Sequence, residues 1–268
     1  EYYGLNEAPF TITPNPRFLF LSGKHQEAFN HMVYGIRERK GFIQITGEVG
    51  SGKTTLCRAL LASLGKKYST ALILNPPLTA EELVKAIVME FGLPVRGMDR
   101  LEALDLLNNF LLSEAEQGRD CVLLIDEAQN LSNELLEQVR MLSNLETDDH
   151  KLLQIVLVGQ PELRDRLNHP SLRQLRQRIT VRYHLRPLRQ IELGQYVQHR
   201  LTISGAKSPP QFTTPALWRV FNYSKGIPRL VNAVCDKCLL AGFVQQAPRI
   251  DFHLVGRAVR ELEGEIHV

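Results

Sequence analysis

With 268 residues, the chain is long enough for one large domain or for an ordinary domain joined to a small one. Its 44% apolar and 23% charged residues suit a globular fold in water, and apolar runs such as 152–159 are far too short to span a bilayer. A net charge of +3 singles out no class of partner, no secretory signal is visible at the start, and a beginning at Glu1 rather than Met fits either a trimmed chain or a piece of a longer protein.

Residues 1–24 are rich in turn formers (Pro9, Pro14, Asn15, Pro16, Ser22, Gly23), with Phe10, Phe18 and Phe20 threaded between them. An apolar stripe at Ala28, Met32, Val33 and Ile36 then predicts a short helix from about His25 to Lys40. Five strand-like runs follow, at Phe42–Thr46, Ala71–Asn75, Cys121–Ile125, Leu153–Val158 and Val181–Leu185. Helical segments separate them at Thr54–Leu64, Thr79–Phe91, Leu101–Gln117 and Asn133–Leu145. Near-continuous apolar strands alternating with helices imply an α/β fold, a parallel sheet covered on both faces, with ligands at the carboxyl ends of the strands. After Pro187 no strand pattern stands out. Helices are expected at Arg189–Ser204, Pro215–Ser224, Arg229–Gln245 and Asp251–Glu263, which sets an αβα domain at 1–188 and a small all-helical domain at 189–268.

The first strand runs into Gly47-Glu48-Val49-Gly50-Ser51-Gly52-Lys53-Thr54-Thr55 and then a helix. In that setting the pattern G-x-x-x-x-G-K-[ST] makes a nest of backbone N–H groups for phosphate oxygens, reinforced by the helix dipole. Lys53 would reach the outer phosphates and Thr54 would offer its hydroxyl to Mg²⁺, against the plainer alternative of a glycine-rich turn with a solvated lysine. The third strand ends in Asp126 and Glu127. Beside a phosphate loop, Asp126 would join the metal's coordination sphere and Glu127 would orient the attacking water; otherwise both are exposed acids capping the next helix.

The fourth strand ends in Gly159-Gln160-Pro161-Glu162. Gln160 either touches the γ-phosphate or the water through its amide, or simply enters a helix. Between Glu162 and Arg189 lie eight arginines against two acids, whereas 126–149 holds seven acids against Arg140. The basic run suits a nucleic-acid backbone, or a subunit interface in which Arg173, Arg176 or Arg178 reaches a neighbour's nucleotide; Arg164 and Arg166 read as a solvated face. The opposed charges suggest that one protomer's basic run meets the next protomer's acidic run. Pro228 and Arg229 open a helix in the C-terminal domain, where a cation is unfavourable unless something compensates it, and a triphosphate would do so. Cys57, Cys121, Cys235 and Cys238 lie in apolar context, and the lone C-x-x-C at 235–238, having no second pair, reads as two buried structural thiols in a reducing compartment rather than as a metal or redox site.

Taken together, Pro9-Phe10 and Pro14–Ser22, then GEVGSGKTT, LLIDEAQNL, VLVGQPELRDRL, LRQLRQRI and GIPRLVN, resemble the AAA+ ATPases, specifically the ExeA (GspA) type associated with general, type II, secretion. The resemblance covers essentially the whole chain. It implies an ASCE-type αβα domain with strand order 5-1-4-3-2 and a helical lid, binding and hydrolysing Mg-ATP at its phosphoric anhydride. It also implies Gln160 as first sensor, Pro228-Arg229 carrying the second, an arginine among 173, 176 and 178 as finger in trans, and Phe10–His25 bordering the adenine. Family members couple ATP to homo-oligomerisation at the cytoplasmic face of the inner membrane, often continuing into a membrane span and a peptidoglycan-binding domain with a secretion-system partner. Related pilus and exopolysaccharide ATPases, and DNA-binding transposition ATPases of the TnsC kind, share these motifs.

Overall fold

The computed structural model describes residues 3–77, 79–146, 151–205 and 209–264. In chain order its elements are α1 (Gly23–Arg37), β1 (Phe42–Gly47), α2 (Lys53–Leu64), β2 (Tyr68–Ile73), α3 (Ala80–Glu90), α4 (Arg100–Glu116), β3 (Asp120–Ile125) and α5 (Asn133–Leu142). There follow β4 (Leu153–Gly159), α6 (Pro161–Leu167), α7 (Arg173–Arg178), β5 (Ile179–Leu185), α8 (Gln190–Ile203), β6 (Gln211–Phe212), α9 (Thr214–Ser224), α10 (Pro228–Val244), β7 (Arg249–Ile250) and α11 (Phe252–Leu262). The described residues gather into two compact units, one from Glu27–Gly47 and Leu56–Leu185, the other from Glu1–Gln26, Glu48–Thr55 and Arg186–Val268.

The first unit holds a five-stranded parallel sheet in the order β2-β3-β4-β1-β5, the order that the family resemblance implies. Strands β1 and β4 are buried at every residue, as expected for central strands covered on both faces. The register pairs Thr46 with Gly159 and Ile125 with Leu157, so β1, β3 and β4 finish together at one edge. Strand β2 starts at Tyr68, before the predicted Ala71, because Tyr68, Ser69 and Thr70 are half-buried on an outer strand and carry no apolar run. Helix α4 begins with a capping box, Glu102 N–H donating to Asp99 Oδ1 at 2.9 Å and Asp99 N–H to Glu102 Oε2 at 2.8 Å. Helices α6 and α7, of seven and six residues, were too short to show in the periodicity.

The second unit packs α8 to α11 around Leu193, Val197, Val220, Val231 and Val255, joined by Tyr3 and Phe10 of the N-terminal segment. A two-residue parallel pair, β6 with β7, adds to its expected helices. All four cysteines are free and buried, and burial pushes Cys121 and Cys238 up to about 12, which keeps them as inert thiols.

The proline-rich N-terminal segment has no ladder to pair its carbonyls, and Arg200 of α8 does so instead. Its Nε donates to the Pro9 carbonyl at 2.5 Å and its Nη2 to the Thr11 carbonyl at 3.3 Å. Nη1 donates to the Tyr196 hydroxyl at 3.2 Å, and the guanidinium lies 4.8 Å from the Phe18 ring centre. Arg200→Ala is expected to cost about 2–3 kcal/mol in urea unfolding, since it removes charge-assisted bonds and leaves the carbonyl of the buried Pro9 without this donor, the Thr11 carbonyl keeping Asn232 Nδ2 at 3.2 Å. Arg200→Lys should recover little of it for want of the planar fork. An unchanged midpoint in both would show that the segment is held by other means.

Candidate functional site

Strand β1 delivers the chain at Gly47 into the loop, of which Glu48 and Val49 are exposed and Ser51 and Lys53 buried. Gly50 and Gly52 lie at φ +76° and +95°, the left-handed region in which only glycine is unstrained. The turn closes on the Glu48 carbonyl, which accepts from Ser51 N–H at 3.1 Å and from Lys53 Nζ at 3.0 Å. Lys53, Thr54 and Thr55 form the first turn of α2, where the positive end of the helix dipole favours an anion.

Two other elements of the same unit grip the loop. The Arg229 N–H, at the start of α10, donates to the Gly50 carbonyl at 3.1 Å, and its side-chain stem lies where a Cβ at Gly50 would be, 2.5 Å from the Arg229 Cβ. Pro228 sets that helix start, and the turn before it is fixed by Leu188 N–H donating to the Gly226 carbonyl at 2.9 Å. The exposed Arg229 therefore sits at a helix N-terminus against a phosphate loop, which is the setting in which an anion would compensate its charge. On the other side His25 Nε2 donates to the Ser51 carbonyl at 3.0 Å. In the sequence His25 marks only a helix start, because a side-chain-to-carbonyl bond across 26 residues leaves no local pattern.

In the sheet unit, β3 leads into a buried Asp126 whose Oδ1 accepts the Glu127 N–H at 2.9 Å. Glu127 adopts a left-handed backbone, φ 51° and ψ 35°, uncommon for a residue with a Cβ and of a kind that gathers at functional sites. Its Oε2 accepts from Gln160 Nε2 at 3.1 Å and from Gln129 Nε2. Gln129 Oε1 in turn accepts the Gln160 N–H at 3.0 Å, so the two amides lock Glu127 to the end of β4. Gly159 permits this, since a Cβ there would lie 2.7 Å from Gln129 Oε1. Gln129 is a site residue that no motif of the sequence marks; its one signal is its place two positions after Glu127.

Arg173, Arg176 and Arg178 all lie on α7. Arg178 donates to Ser143 Oγ at 2.7 Å and Arg176 to Asn168 Oδ1 at 3.5 Å, while Arg173 is exposed. Arg166, although exposed, donates to the Leu131 carbonyl at 2.7 Å across 35 positions, a structural tie beyond the solvated face expected of it, while Arg164 lies 3.7 Å from its neighbour Asp165. Of the acidic run, Asp148 and Asp149 lie outside the described residues. Gly50→Ala is expected to lose about 2 kcal/mol or more of stability in chemical denaturation, from the left-handed φ and the collision with Arg229 together. A stable, unshifted variant would show that the α10 start is not fixed against the loop.

Residues 36–167 match the family model described as an AAA domain. Over 265 residues the chain is 46% identical to "General secretion pathway protein A" of Aeromonas hydrophila, a match that takes in 98% of this chain and 48% of that protein. The chain thus spans about half the length of that relative. Among solved structures, the Aeropyrum pernix ORC2 protein in its ADPNP-ADP complexes aligns with a TM-score of 0.70 at 19% identity, covering 99% of this chain and 74% of that one. The Thermotoga maritima RuvB Holliday junction branch migration motor aligns at 0.55 and 17% identity, over 88% and 69%. Those two likenesses speak for the fold. No helix of the described residues is long and apolar enough to cross a membrane. With a match of this identity over almost its entire length, the chain belongs to the AAA+ ATPase family of general secretion pathway protein A.

Proposed function

We propose that this chain binds Mg-ATP and hydrolyses its terminal anhydride, and that turnover drives nucleotide-dependent self-association and assembly of a bacterial secretion system or a related surface structure. The observation that carries this reading is the Glu127 carboxylate beside Asp126, held on Oε2 by the amides of Gln129 and Gln160. Both amide donors fall on the same oxygen, so Oε1 is the one that can take a proton from an attacking water. Such catalysis needs placement and electrostatics rather than a covalent intermediate.

In this reading Gly47–Thr55 and Lys53 hold the phosphates, and Thr54 and Asp126 offer hard oxygen donors to magnesium. Among the described residues no group of three or more His, Cys, Asp or Glu side chains could cage a metal. A magnesium ion there would take most of its remaining ligands from phosphate and water and would neutralise developing charge. Gln160 serves as first sensor and Arg229, on the helix start opened by Pro228, as second. Arg173 is the foremost candidate for a finger acting on a neighbouring protomer's nucleotide, because Arg176 and Arg178 already have side-chain partners. Residues 1–188 then form the nucleotide-binding domain and 189–268 the lid, at the cytoplasmic face of the inner membrane and with a membrane partner of the secretion system. A second reading, a DNA-binding regulatory ATPase of the transposition type, is favoured by the exposure of Arg173, Arg182 and Arg186.

Glu127→Gln should bind ATP as the unsubstituted protein does and hydrolyse it at least about a hundredfold more slowly, the range for loss of a general base. Equal rates would remove Glu127 from the mechanism. Sedimentation with and without ATP and a gel shift with duplex DNA at two salt concentrations separate the two readings. ATP-dependent association without a shift supports the first; a shift that weakens steeply with salt supports the second.

A further inference from the structure

His25 is buried against the phosphate loop, 3% exposed, and the hydrogen bonds of its imidazole fix which nitrogen carries the proton. Nε2 lies 3.0 Å from the Ser51 carbonyl oxygen, which can only accept, so Nε2 bears the hydrogen. Nδ1 lies 2.7 Å from Ser22 Oγ and therefore accepts the Ser22 hydroxyl proton. Burial pushes the His25 pKa down, opposed by the Ser51 carbonyl and the nearby Glu192 charge, which agrees with a neutral ring. Glu192 of α8, itself buried, accepts the N–H of Gly23 at the first residue of α1, and so holds the helix end that presents Ser22 and His25.

The consequence lies in the Ser51–Gly52 peptide. In a trans peptide the carbonyl and the following N–H point in opposite directions. A Ser51 carbonyl pinned to His25 turns the Gly52 N–H to the opposite side, toward an anion cradled by the loop. Gly52, at φ +95°, would otherwise leave that peptide free to turn, since glycine visits both signs of φ.

We propose that His25 is a positioning residue for nucleotide binding: its Nε2–H holds the Ser51–Gly52 peptide in the one orientation that offers the Gly52 amide to a phosphate. This rests on the reading that the loop binds a nucleoside polyphosphate, and it adds a residue outside the loop that orients it. The role needs a donor at the Nε2 position, which glutamine reproduces and asparagine, reaching only to the Nδ1 position, does not.

The test is calorimetric titration of the whole chain with ADP, comparing wild type, His25→Gln and His25→Asn, alongside their thermal midpoints. His25→Gln should stay within about threefold of wild type, and His25→Asn should weaken ADP by about tenfold, the worth of one hydrogen bond to a charged phosphate. Equal affinity for wild type and asparagine, or equal losses for glutamine and asparagine, would overturn the proposal. Wild-type protein that binds no ADP would instead sink the nucleotide reading. Should the variants fail to fold, the imidazole nitrogen shifts of wild-type protein decide: the Nε2–H tautomer supports the proposal, and the Nδ1–H tautomer contradicts it.

Discussion

A loop that turns its N–H groups inward around an anion must turn carbonyls outward, and each buried carbonyl then needs a donor. In this chain the donors come from three places. The Glu48 carbonyl is taken by Ser51 N–H and Lys53, the Gly50 carbonyl by the Arg229 N–H at the start of α10, and the Ser51 carbonyl by His25 at the start of α1. The loop at 48–55, the N-terminal segment and the C-terminal helices consequently form one compact unit rather than three separate pieces. Arg200 and Asn232 bind the N-terminal segment in the same way, through the carbonyls of Pro9 and Thr11.

The sheet unit solves a different problem. Its strands need no side-chain donors because parallel ladders pair them, so polar side chains at the carboxyl edge are available for chemistry. There Asp126, Glu127, Gln129 and Gln160 form a closed set in which the amides point the catalytic candidate. The left-handed backbone at Glu127 costs energy that a packed strand end would not normally carry. The surrounding bonds sustain it, and the carboxylate is thereby turned out of the helix-cap geometry that an ordinary acid would adopt.

Local signals in the sequence carried most of this. The central strands read clearly because apolar residues dominate them, as in Cys121–Ile125 and Ile155–Val158, and the loop reads because Gly50 and Gly52 are required by their φ values. The strand-end pair Asp126-Glu127 and the glutamine after Gly159 stood where ligand chemistry belongs in a parallel sheet. What remained hidden was made of long-range contacts. Gln129 matters through Gln160, thirty-one positions away, His25 through Ser51, and Arg200 through carbonyls near the N-terminus. None of these bonds leaves a period or a motif. The half-buried start of β2 and the two-residue strands β6 and β7 escaped for the opposite reason, having too few apolar residues to signal anything.

The central claim is that the backbone amides of 50–55 hold a nucleotide's phosphates, in a loop braced from outside by α1 and α10. Amide hydrogen exchange of the wild-type chain, with and without ADP and magnesium, tests it most directly. Slower exchange concentrated in the peptide spanning 48–56 and in the first turns of α1 and α10 is the result this account requires. Binding of ADP that leaves the exchange of that peptide unchanged would contradict it.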